Sequence, residues 1–157
     1  LAEAANLVAY EWRELGVKIG VAVKSDEEIA NDILKTRTYD MILFGNAFGS
    51  NPDLLSFWHS SERLYPGLNL SLYESRLADS LLESVRVNLN PVSRQKDFTS
   101  LQSLIIQDTP AVFLFSPHYL YFSRNGFQGF ETQFVPLPSN RFDDIEKWHV
   151  KTARVFR

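Results

Sequence analysis

Residues 39–58, YDMILFGNAFGSNPDLLSFW, constrain the fold more than any other part of the sequence. Met41 to Phe44 form a continuous apolar run, as a strand covered on both faces requires. The run empties into a small, polar corner from Gly45 to Asn51, and a helix restarts at once, with Asn51 as cap and Pro52 as first residue, through about Trp58. A buried strand that ends in a glycine-containing corner and meets a helix N-terminus is where α/β folds place ligands. It also serves as an ordinary connection, so both readings stay open at this point.

The flanking sequence continues the alternation of periods. Leu1, Ala4, Ala5, Val8, Trp12 and Leu15 share one face of a helix that Gly16 is placed to end. Val17, Ile19, Val21 and Val23 alternate with Lys18, Gly20 and Ala22, the period of a strand. Ser25 and Glu28 are spaced as a capping box for a short helix with Ile29, Ile33 and Leu34 inward. Turn chemistry surrounds Pro66 and Gly67. A helix is expected from Tyr73 to about Asn88, with a stripe of Leu77, Leu81, Leu82, Val85 and Leu89. Asn90 and Pro91 start another, with Phe98, Leu101, Leu104 and Ile105 inward and Pro110 at its end. AVFLFS and HYLYFS read as strands joined near Pro117. Helix, strand, helix, strand predicts an α/β fold, with a mixed sheet of Val17–Val23, Tyr39–Phe44 and part of Ala111–Phe122 and helices on its faces.

With 157 residues, 45% of them hydrophobic, the chain supports one domain with a substantial core. A formal charge of −3 with scattered basic residues offers no attraction to phosphate backbones, so no nucleic-acid partner is expected. The absence of Cys removes disulfides, thiolate nucleophiles and Cys-ligated metals. No apolar run approaches the roughly 20 residues that span a bilayer. The sequence lacks an initiator Met and opens on a helical pattern, which reads as a segment of a longer chain.

No enzymatic motif is found, and neither a catalytic residue, a metal site nor a cofactor is expected. His59, His118 and His149 are far apart without ligand-like companions in the sequence. Glu27 with Glu28, and Asp143 with Asp144, fit a helix first turn and a solvated loop respectively. The corner is different in kind. Asn46, Ala47, Phe48, Gly49, Ser50 and Asn51 offer backbone groups, short hydrogen-bonding side chains and one aromatic, and form the candidate ligand-binding set. Capping accounts for Asn51 and Asp53 but explains nothing about Asn46, Phe48 and Ser50.

Five stretches, LGVKI, YDMILFGNAFGSNPDLLSFW, LNLSLYESRLADSLLESV, LQSLIIQDTPAVFLF and RFDDIEKWHV, resemble in order the C-terminal part of the family 5 extracellular solute-binding proteins. These are the dipeptide, oligopeptide and nickel-binding components of ABC importers. The resemblance implies one lobe of a type II periplasmic-binding-protein-like architecture of two lobes. Residues 1–118 would form the main lobe and 119–157 would return toward the other. It also implies a periplasmic or extracellular location, with any signal or lipoprotein anchor outside this segment. Its implied partners are a small solute such as an oligopeptide, the permease subunits and the other lobe. The corner after Phe44 becomes the cleft floor. Asn46 stands where the peptide binders often carry Trp, and Phe48 and Gly49 stand nearest the Asp that pairs with a peptide amino terminus. Without that carboxylate an ammonium loses a partner of about 1.5–3 kcal/mol. Asn69 matches a position before the next helix and reads as a turn-stabilising residue.

Two functional expectations follow. In the first, the chain is a substrate-binding lobe that closes on its solute without covalent chemistry. In the alternative, the same lobe senses a ligand for a transcriptional or signalling regulator. Apolar side chains from about Tyr119 onward, left uncovered, would also promote self-association.

Overall fold

Helix α1 spans Ala2–Glu14 and ends as its sequence directs: Gly16 adopts φ +85° and its N–H bonds to the Arg13 carbonyl. In the computed structural model, which describes residues 1–48 and 53–150, the Ser25 box is formed in full. Ser25 Oγ accepts from the Glu28 N–H at 3.2 Å and Glu28 Oε2 from the Ser25 N–H at 2.9 Å. The Glu28 carboxyl is held below its usual pKa, first by the Ser25 backbone N–H and then by Lys24. The helix that follows is short and changes register. Helix α2, Asp26–Glu28, passes through a π turn, Ile29–Ile33, into α3, Leu34–Thr36, which stops where Arg37 turns left-handed at φ +56°.

After the corner, α4 spans Leu55–Trp58, and Asp53 Oδ1 accepts from the Leu55 N–H at 3.3 Å. The turn at Pro66 follows, where a Cβ on Gly67 would overlap the Glu62 carbonyl, so only glycine fits. Helix α5 spans Arg76–Val87 with Ser75 as cap, and α6 spans Pro91–Asp108. Asn90 Oδ1 caps α6 by accepting from the Val92 and Ser93 N–H groups, and Thr109, in the left-handed region, closes it.

The chain divides into two compact units, Leu1–Gly45 with Asp53–Val112, and Asn46–Pro52 with Phe113–Arg157. In the first, α5 packs on α4 and α6 around Tyr73, Ala78, Leu82, Leu101 and Ile105, with Leu54, Trp58, Leu81 and Leu104 against them. The α6 face is as predicted. On α5 the predicted Leu82 is buried and Leu81 packs against the core, joined by Ala78, whereas Leu77 is exposed and Leu89, beyond the helix end, is 96% exposed. The small Ala78 allows close approach at the helix contact, which a leucine stripe does not reveal. Two short hydrogen bonds fasten the packing. Tyr73 Oη donates to Asp108 Oδ2 and Ser84 Oγ to Asp97 Oδ2, each at 2.6 Å.

The expected mixed sheet is corrected. Residues 17–23, 39–44 and 111–122 pair with no strand among the described residues. A period of two specifies which face of a strand is apolar but supplies no neighbour, and a strand is held by cross-strand bonds. The described residues are instead helix-rich with one small sheet, in which β1 (Phe127–Gln128) pairs antiparallel with β2 (His149–Val150) in the second unit.

Candidate functional site

The candidate corner is only partly described. Asn46, Ala47 and Phe48 are exposed and outside regular structure. Gly49, Ser50 and Asn51, with the proposed cap, lie outside the described residues.

Asn69 is fully buried and spends its amide on the chain itself. Its Nδ2 donates to the carbonyls of His59 (3.1 Å) and Tyr73 (2.9 Å), and its Oδ1 accepts from the Tyr73 N–H and Ser71 Oγ, both at 3.1 Å. No hydrogen-bonding capacity is left for a ligand, so the turn-stabilising reading is correct. From the other side, Arg37 donates to the carbonyls of Arg63 (Nε, 3.0 Å) and Gly67 (Nη2), and Tyr39 Oη to that of Leu70 at 2.6 Å. Arg37 Nη1 is buried without a hydrogen-bond partner among the described residues. The 63–70 loop is thus held by side chains about 30 residues upstream.

His59 has companions that its sequence neighbourhood hid. Its Nε2 lies 3.5 Å from Glu83 Oε1 and 3.9 Å from Asp79 Oδ1, an i, i+4 pair on α5. Asp79 also accepts from the Ser60 N–H at 2.9 Å and Ser60 Oγ at 2.6 Å. On the other ring edge, Nδ1 accepts from the Ser61 N–H at 3.1 Å, with Ser61 Oγ at 2.9 Å. That backbone bond occupies the acceptor lone pair a general base would need, and makes the cluster a local turn anchored to α5. Among the described residues no group of three or more His, Cys, Asp or Glu side chains is arranged to hold a metal ion. None of their helices is long and apolar enough to cross a membrane.

An open groove of about 520 Å³ runs between α5 and α6, lined by Leu77, Leu81, Leu104, Thr99, Ser100, Ser103 and Gln107. The three hydroxyls donate to carbonyls one turn back, at 2.9–3.1 Å, so the groove has apolar walls and a neutral rim.

The second unit contains the clearest correction among the acidic residues. Asp144 is buried rather than solvated. Its Oδ2 accepts from the Glu131 N–H at 2.6 Å and its Oδ1 from the Trp148 indole at 3.0 Å. Burial alone would raise its pKa; bonds from Glu131, Thr132 and Trp148 outweigh that and hold it below the ordinary carboxylate value. Around Trp148 stand Phe127 (5.0 Å between ring centroids), Phe142 (5.5 Å), Phe130 (5.9 Å) and Tyr121 (6.2 Å). The sequence signal was an Asp four residues before a Trp, whose indole N–H requires an acceptor once buried.

The chain is similar to the Probable D,D-dipeptide-binding periplasmic protein DdpA of Escherichia coli (strain K12), at 30% identity over 121 residues that take in 72% of this chain. The alignment covers 23% of that protein, so the chain spans under a quarter of its relative's length. No protein-family model matches the chain. No solved structure matches it either.

Proposed function

We propose that the chain is part of the substrate-binding component of an ABC importer, of the family 5 extracellular solute-binding kind. It acts in the periplasm or outside the cell and captures a small solute, such as an oligopeptide, between two closing lobes without covalent chemistry. The observation that carries this reading is the similarity to a periplasmic dipeptide-binding protein across 72% of the chain. In this reading the corner from Asn46 to Asn51 faces the cleft, and residues 119–157 return toward the other lobe. The exposed Phe115, Leu120 and Phe122 are apolar surface of the kind such a lobe would cover. Closure requires contacts from both lobes, so the 157 residues alone should bind solute weakly.

A chimera tests this. The segment is exchanged for the matching part of the E. coli relative, and thermal unfolding is followed with dipeptides of D and L configuration, oligosaccharides and metal chelates. A solute that binds the folded state raises the midpoint. The expected result is a rise with one solute class that Asn46→Ala with Phe48→Ala reduces. A folded chimera that no class stabilises overturns the reading.

A further inference from the structure

Outside the corner, in the second unit, stands Arg141. Its guanidinium lies over the Phe142 ring, 4.2 Å from the centroid. One nitrogen is fully engaged: Nη1 donates to Tyr119 Oη at 3.0 Å and to the Pro138 carbonyl at 2.7 Å. The side chain is therefore held by a ring face, a hydroxyl and a backbone oxygen. Its Nε and Nη2 edge, the fork that matches an oxyanion in the bidentate mode, has no partner among the described residues.

Among the described residues no carboxylate forms an ion pair with it. Asp143 Oδ2 accepts from Asn140 Nδ2 at 3.1 Å, and both oxygens of Asp144 are engaged by Glu131 and Trp148. The Tyr119 hydroxyl, having accepted from Arg141, keeps its own proton for a further acceptor. Tyr119, Tyr121 and Phe142 each remain about 40% exposed, giving the fork aromatic surroundings.

We propose that Arg141, with Tyr119 and Phe142, forms a binding site for a carboxylate carried on an aromatic or apolar body, such as the C-terminal residue of a peptide. The ring face and the two fixed acceptors reduce the ordering cost of the guanidinium, and the open fork supplies the charge-assisted pair. The proposal rests on side chains of this unit and stands apart from the transport reading.

The test uses the whole 157-residue chain, following the Arg141 Nε–Hε resonance by NMR during titration with N-acetylphenylalanine, its amide and phenyl phosphate. The expected result is a saturable shift with the carboxylate and none with the amide. Arg141→Lys should weaken binding about tenfold, because a point charge lacks the fork, and Tyr119→Phe about threefold, through one lost hydrogen bond. Equal response to acid and amide, binding of phenyl phosphate with the carboxylate silent, or no shift up to about 10 mM would each overturn the proposal. The acid and amide comparison needs no variant, so it stands if a substitution disturbs folding.

Discussion

The α5 and α6 pair and the unit around Trp148 solve the same problem with different materials. Between the helices, Leu82, Leu101 and Ile105 lie in a water-excluded aliphatic contact, with hydroxyl–carboxylate bonds fastening its edges. Around Trp148 the rings stay partly accessible, and the most buried of the described side chains is a carboxylate, Asp144, receiving bonds from Glu131, Thr132 and Trp148. Aliphatic burial is non-directional and indifferent to pH. A carboxylate hub is directional, and its contribution ends when it is protonated. The two regions should therefore fail under different stresses.

The largest expected effect comes from the helix pair. Leu101 is 1% exposed, and Leu101→Ala removes its methyl groups and leaves a cavity, at a cost of about 2–5 kcal/mol. Urea unfolding followed by helix circular dichroism measures this. A loss under about 1 kcal/mol would mean that the α5 and α6 contact is not the main source of stability. Asn69→Ala should come next, at about 1–3 kcal/mol. It strands the His59 and Tyr73 carbonyls and the Tyr73 N–H, though water entering the vacated space would replace part of the bonding. If instead Asn69→Ala were neutral while Leu101→Ala was costly, the polar node would only shape the turn. That result would sharpen the contrast in favour of aliphatic burial.

What could be read in advance follows the range of each interaction. The Ser25 box, the Asn90 and Pro91 helix start and the Gly16 stop are decided within four residues, and all three form as expected. Leu101 and Ile105 were legible because period and burial agree along α6. On α5 Leu82 was legible in the same way, but Ala78 has too little apolar weight to attract notice beside Leu77. The sheet failed for a stronger reason: 17–23 and 39–44 have the right patterning, but pairing is set by a partner that no local pattern names. The β1 and β2 pair, two residues each and 21 apart at their nearest partners, had no periodic signal at all. Of the candidate corner, Asn46, Ala47 and Phe48 are exposed, and Gly49, Ser50 and Asn51 lie outside the described residues. The hubs at Asp144 and Asn69 differ in kind: only the second was marked beforehand, by the family position before the next helix that it matches.

The smallest and most selective effect is the response to acid. Hydrogen bonding holds the Asp144 pKa below its unfolded value, despite burial that opposes this. The stabilisation it contributes is then present above the unfolded pKa, near 4, and is lost as pH falls through the folded value. The Trp148 indole N–H reports this directly, because it donates to Asp144 Oδ1. On acidification its NMR signal, with those of β1 and β2, should move toward unfolded positions before the α6 amides change. Asp144→Asn sharpens the test: it offers one acceptor oxygen where the carboxylate had two, so either Glu131 or Trp148 loses its partner at every pH. The variant should show the loosened second unit already at neutral pH and no further acid step. An unchanged acid transition in Asp144→Asn would place the sensitivity elsewhere and remove the carboxylate hub as the difference between the two regions.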